Sequence, residues 1–132
     1  MSLHELKILT SVSTPEIILN PNGVLRIKGR SVIANANGFC MLIDEWLDKY
    51  ICNPADNTSV DFHLEYISTS NLKIYIQFLK KIESVKLKNK KYIINWYYDE
   101  GDEDILEMGE YISSILNIPF NYIYISDPTL PD

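Results

Sequence analysis

Between residues 60 and 98 the apolar residues change their period twice, and that change restricts the chain to few architectures. Val60, Phe62, Leu64 and Tyr66 alternate with Asp61, His63 and Glu65, the period of two expected of a strand with one buried face. From Leu72 the period lengthens: Leu72, Tyr75, Ile76, Leu79 and Ile82 recur at steps of three and four, the stripe of an amphipathic helix. The run YIINWYY at 92–98 then loses alternation and is rich in strand formers, which predicts a strand in the interior of a sheet. Strand, helix, strand in this order favours parallel neighbours joined by right-handed crossovers.

The flanking segments extend the pattern. EIILN at 16–20 and VLRIKG at 24–29 are separated by Pro21-Asn22-Gly23, a turn signal that predicts a β-hairpin. Phe39, Leu42, Ile43, Trp46, Leu47 and Tyr50 place one apolar face on a helix over about 35–51, closed by the loop ICNPADNTS. A third helix is predicted in DEGDEDILEMGEYISSIL, with Leu106, Gly109, Ile112 and Leu116 inward and Asn117 and Pro119 ending it. FNYIYIS supplies a last strand. The expected fold is one small α/β domain over residues 1–132, in ββαβαβαβ order, with a mixed sheet and helices packed on it.

Charge and cysteine usage narrow the function. Twelve Lys and Arg stand against 18 Asp and Glu, for a net charge of −6, a balance that repels a phosphate backbone, so nucleic acid is not an expected partner. Cys40, expected in the core, and Cys52 lack CxxC spacing and read as reduced thiols. No apolar run approaches the roughly 18 to 20 residues of a membrane span, and the first residues lack the layout of a signal peptide. A cytoplasmic protein without a membrane anchor is expected.

Enzyme constellations are sparse. No GxGxxG or GxxxxGK[ST] is present, and His4 and His63 stand apart from any Cys/His set at ligand spacing, so no nucleotide cofactor or zinc site is expected. The acidic segment at 99–110 is the remaining candidate: Asp102, Glu103 and Glu107 could hold a divalent cation or supply an acid–base pair. Carboxylates in a first helical turn are also stabilised by the helix dipole, and Glu103, Glu107 and Glu110 fall opposite the core stripe, which reads as a solvated or partner-binding face. Arg30, at the end of the hairpin, could pair with a carboxylate or an incoming phosphate.

Three hydroxyls, Ser68, Thr69 and Ser70, separate the 60–67 strand from the following helix. A helix start needs one of them as an N-cap, worth about 1 kcal/mol. Another is a candidate phosphorylation site, because a phosphate there gains about 1.5 to 2 negative charges facing the positive end of the helix dipole.

Several separated segments together decide between these roles. STPEI at 13–17, PNGVLRIKGRS at 21–31, NANGF at 35–39, WLDKY at 46–50, LEYISTSNLK at 64–73 and NWYYDEGDEDILEMGE at 95–110 resemble, in order and spacing, the SiaC family of bacterial regulatory phosphoproteins. The resemblance implies a fold like that of STAS-type anti-sigma-factor antagonists. It also implies a partner switch: a GHKL-type kinase phosphorylates the protein, a PP2C-type phosphatase reverses this, and the unphosphorylated form binds and activates an effector, in the family a diguanylate cyclase that controls biofilm formation. The matching phosphoacceptor is Thr69, with Ser70 as the expected cap and Ser68, where the family usually has asparagine, as a second possible acceptor. Around it, Leu72, Lys73, Asp102 and Glu103 are the expected partner-binding residues. The competing readings are a constitutive interaction module without phosphorylation and a small metal-assisted enzyme using the acidic helix.

Overall fold

A computed structural model of the chain describes residues 2–126. Six strands form one sheet in sequential order: β1 (Leu6–Ile8), β2 (Glu16–Leu19), β3 (Val24–Ser31), β4 (Asn57–Ile67), β5 (Lys91–Asp99) and β6 (Asn121–Ile125). The first three are antiparallel neighbours, and β3 through β6 are parallel. Helices α1 (Asn37–Tyr50), α2 (Leu72–Glu83) and α3 (Glu103–Leu116) make the three crossovers. Because the strand order never reverses, crossovers of one hand bring all three helices to one face; α1 packs on α2 and α2 on α3. The expected order therefore holds with one addition. Strand β1 was missed because three residues, LKI, are too short to show a period.

The β2–β3 turn follows the chemistry of its residues. Asn20 Oδ1 accepts from the Asn22 backbone N–H at 2.9 Å, Asn22 Oδ1 accepts from Val24 N–H at 3.0 Å, and Gly23 takes φ +99°. Asn side chains imitate backbone in such turns, and only glycine enters that φ region freely.

The core lies between the sheet and the helices. Phe62 of β4 sits at its centre, with ring centroids 5.2 Å from Trp96, 5.9 Å from Tyr75 and 6.2 Å from Phe78. Each such side chain stabilises the fold by roughly 1.5 to 3 kcal/mol through burial. The Trp96 indole N–H donates to the Ile105 carbonyl at 2.9 Å, and Gly109 lets α3 approach that ring closely.

Several inward assignments change. On α2 the buried set is Ile74, Tyr75, Phe78, Leu79 and Ile82, with Leu72 and Ile76 only partly covered. On α3 Ile105 rather than Leu106 is buried. On α1 Leu42 is 46 % exposed while Ile43, Trp46, Leu47 and Tyr50 are buried. In each case the helix meets the sheet through a narrower arc than its apolar residues span, so those at the edge of the stripe are only partly covered. Cys40, expected in the core, is half-buried at the same kind of edge.

Tyr66 corrects the strand reading. β3 and β4 slip register between Gly29 and Arg30: Gly29 faces Leu64, whereas Arg30 faces Tyr66. Glu65 is the extra residue of this bulge, so Tyr66 turns outward, 49 % exposed, and Ile67 turns into the core. The Arg30 guanidinium lies 5.4 Å from the Tyr66 ring centroid, a cation–π contact, and among the described residues no carboxylate pairs with it.

Candidate functional site

The carboxyl ends of β3, β4 and β5 bring Ser31, Ile67 and Asp99 to the same edge of the sheet as the amino ends of the helices, where sites in parallel α/β sheets gather. The bulge at Glu65 decides what is displayed there. With Ile67 committed to the core, Ser68 continues extended (φ −71°, ψ 152°), and Thr69–Asn71 form one 3-10 turn leading into α2.

Within the hydroxyl triplet the three side chains differ. Ser68 Oγ and Ser70 Oγ lie 3.2 Å apart and hydrogen-bond each other. The Thr69 side chain is exposed and has no hydrogen-bond partner among the described residues. Ser70 does not cap α2: no side chain caps either the turn or the helix. The backbone does this work, with Asn71 N–H donating to the Ser68 carbonyl at 3.0 Å and Leu72 N–H to the Thr69 carbonyl. A tight i to i+3 turn satisfies these N–H groups without a capping hydroxyl.

Asn71 anchors the turn. It is 1 % exposed. Its Oδ1 accepts from Ser31 Oγ at 2.8 Å and from Ile33 N–H at 2.9 Å, and its Nδ2 donates to the Ile33 carbonyl at 3.0 Å. Tyr75 OH donates to Ser31 Oγ at 2.6 Å, closing a buried Tyr75–Ser31–Asn71 chain at the last residue of the turn that carries Thr69. Burial pushes the Tyr75 phenol far above its ordinary range, an effect only partly offset by the bond to Ser31. The sequence reading missed Asn71; a polar residue between Ile67 and the apolar stripe of α2 was its available signal.

A groove of about 540 Å³ opens beside Thr69, between α2 and α3. Thr69, Leu72, Asp104, Glu107, Met108 and Tyr111 line it. Of the expected partner-binding residues, Leu72 is in this lining. Lys73 instead lies toward α1, where its charge acts on the Cys40 thiol. Asp102 is the N-cap of α3, its Oδ1 accepting Ile105 N–H at 3.2 Å, and Glu103 is exposed in the first turn outside the groove. Among the described residues no group of three or more His, Cys, Asp or Glu side chains converges closely enough to hold a metal ion.

The sequence profile of the SiaC family of regulatory phosphoproteins matches residues 8–125. The chain belongs to this family. A SiaC-family protein of Pseudomonas aeruginosa, solved in complex with diguanylate cyclase SiaD and described there as its activator, superposes with a TM-score of 0.80 at 22 % identity, covering 92 % of this chain and 99 % of that one. Apo-SiaC from the same species gives 0.78 at 22 % identity, with 94 % and 98 % coverage. An uncharacterized protein of Pseudomonas aeruginosa strain UCBPP-PA14 is 24 % identical over 119 residues, which is 89 % of this chain and 94 % of that protein. Membership of the SiaC family makes this α/β domain a regulatory phosphoprotein.

Proposed function

We propose that Thr69 is the phosphoacceptor and that its modification switches the chain between partners. Thr69 is the member of the triplet whose hydroxyl is exposed and unbonded, whereas Ser68 and Ser70 engage each other; this observation carries the reading. A kinase needs an accessible oxygen on a chain it can grip, and the turn before α2 offers one on a support held rigid by Asn71.

A GHKL-type kinase would add the phosphate and a PP2C-type phosphatase would remove it in the cytoplasm. The unmodified form would bind and activate an effector of the diguanylate cyclase class; in the Pseudomonas aeruginosa complex SiaC is the activator of diguanylate cyclase SiaD. Catalysis belongs to these partners, and the chain contributes a surface whose charge changes by about −2 on modification. Phosphopeptide mass spectrometry after incubation with the cognate kinase and ATP tests the assignment. Incorporation confined to Thr69, lost in Thr69→Ala and retained in Ser68→Ala and Ser70→Ala, is the expected result; phosphate on Ser68 or Ser70 in the unaltered chain would move the address.

A further inference from the structure

The helices cover one face of the sheet, and alternation along each strand sends every second side chain to the other face. On that open face Arg26, Lys28, Asp61, His63, Tyr97 and Ile125 line a depression of about 250 Å³. Its chemistry changes strand by strand. Strand β3 contributes two cations, Arg26 and Lys28; β4 contributes two hydrogen-bonding groups, Asp61 and His63; β5 contributes the Tyr97 ring, and β6 the apolar Ile125.

The acids on the floor are engaged, whereas the cations are not. Asn95 Nδ2 donates to Asp61 Oδ1 at 2.8 Å and Asn121 Nδ2 to Asn95 Oδ1 at 3.3 Å, a ladder across β4, β5 and β6. Asp99 Oδ1 lies 3.0 Å from His63 Nε2, and the His63 ring lies 5.9 Å from that of Tyr97 at 40°. Arg26 faces Asp61 in register, and Lys28 faces Glu16 and His63. Neither cation comes within 4.0 Å of a carboxylate among the described residues. The floor is therefore ordered by its own hydrogen bonds, and the two positive groups at its rim are free to take an anion from outside.

Strand geometry sets the shape of that ligand. Arg26 and Lys28 are two residues apart on one strand, about 7 Å, so both long side chains can reach a single phosphoryl group. With neighbouring strands about 4.8 Å apart, the cations of β3 and the ring of β5 are separated by about 10 Å across β4. A ligand that spans them carries an anion at one end, a flat ring at the other and hydroxyl groups between. From this we infer that the open face binds a nucleoside monophosphate. Its phosphoryl group lies on Arg26 and Lys28, its ribose hydroxyls donate to Asp61, whose Oδ2 has no partner among the described residues, and its base stacks on Tyr97.

The size and charge of the depression fix the class further. Its volume is below the roughly 300 to 1,000 Å³ of sites for drug-sized ligands, which leaves no room for a dinucleotide. A triphosphate would bring its extra negative charge against Asp61 and Glu16. A glycine-rich cradle, absent from this sequence, holds phosphate through backbone N–H groups; here two side chains take that part. The site lies across the sheet from the groove beside Thr69, so the inference stands apart from the switch reading.

The test titrates adenosine monophosphate into the full-length ¹⁵N-labelled chain, with adenosine, ribose phosphate and inorganic phosphate as its fragments. Adenosine monophosphate is expected to shift the amide signals of Arg26, Lys28, Asp61, His63 and Tyr97 saturably and to bind at least ~10-fold more tightly than any fragment. Arg26→Ala with Lys28→Ala, both at exposed positions, should weaken adenosine monophosphate at least ~10-fold and leave adenosine unchanged. Tyr97→Leu should bring adenosine monophosphate down to the level of ribose phosphate. Urea unfolding of each variant is measured first, so that a loss of fold is not read as a loss of binding. Ribose phosphate or inorganic phosphate binding as tightly as the nucleotide would reduce the site to a bare anion contact and overturn the proposal. Shifts centred elsewhere on the chain, or no saturable binding, would overturn it as well.

Discussion

The Ser31 hydroxyl and the Asn71 side-chain oxygen, 40 residues apart in sequence, meet at 2.8 Å and tie the end of β3 to the turn that presents Thr69. Both residues are buried, and the same Asn71 amide satisfies the N–H and the carbonyl of Ile33. Asn71→Ala would remove the Asn71 partner of the Ile33 N–H, the Ile33 carbonyl and the Ser31 O–H, and only Ser31 would keep another bond, the one from Tyr75. A buried unsatisfied group costs about 1 to 3 kcal/mol, so with partial access of water a loss of about 3 kcal/mol is expected from urea denaturation. A change below about 1 kcal/mol would show that the network is replaceable.

Gly109 sets two effects against each other. Alanine in a helix interior is favoured over glycine by about 1 kcal/mol. A Cβ at position 109, however, would lie 2.5 to 2.7 Å from the Nε1, Cε2 and Cδ1 atoms of Trp96. That ring is fully buried and fixed by its bond to Ile105, so it cannot yield. Overpacking of this kind costs about 1 to 3 kcal/mol. Gly109→Ala should therefore destabilise the protein, with a change in Trp96 fluorescence; a gain in stability would mean that α3 is free to lift.

These two sites differ in how far the sequence announced them. Gly109 fell on the inward stripe at helical spacing, because periodicity records which side of a helix meets the core. Tyr66 and Ile67 were not separable that way: a bulge inserts one residue and exchanges the two faces, and it shows only in the pairing with Gly29 and Arg30 of the neighbouring strand. Leu42 and Leu106 show a related loss of information, since the apolar stripe gives a direction but not the width of the arc that tertiary packing covers. Thr69 was legible as part of a junction, and the family resemblance singled it out. The groove was not legible, because Leu72 and Met108 become neighbours only when α2 and α3 lie side by side.

The Tyr75 phenol gives a pH signature. Burial raises its pKa in the folded state above the ordinary value of about 10, so the unfolded chain releases this proton at lower pH than the folded one. The stabilisation is complete below about pH 10 and is lost as pH rises from there toward the folded-state pKa, by up to about 1.4 kcal/mol per unit for one proton. Denaturation midpoints measured from pH 8 upward should fall more steeply in the unaltered protein than in Tyr75→Phe. Parallel curves would remove Tyr75 from the alkaline limb.

Helices α2 and α3 start by different means. Asp102 accepts the Ile105 N–H through its side chain, whereas α2 is entered through a backbone 3-10 turn with no side-chain cap. Asp102→Ala should therefore cost about 1 kcal/mol, the usual value of an N-cap. Ser70→Ala and Thr69→Ala should each stay within about 0.5 kcal/mol of the unaltered protein, since neither hydroxyl satisfies a helix N–H. That neutrality matters to function: a phosphoacceptor that also capped its helix would lose the cap on modification, and the switch would be coupled to partial unfolding of α2. With the backbone holding the turn, a phosphate on Thr69, if that residue is the acceptor proposed above, would leave the support folded. Thermal unfolding of the three variants checks this; a loss near 1 kcal/mol in Ser70→Ala would restore it as the cap and link phosphorylation to the stability of α2.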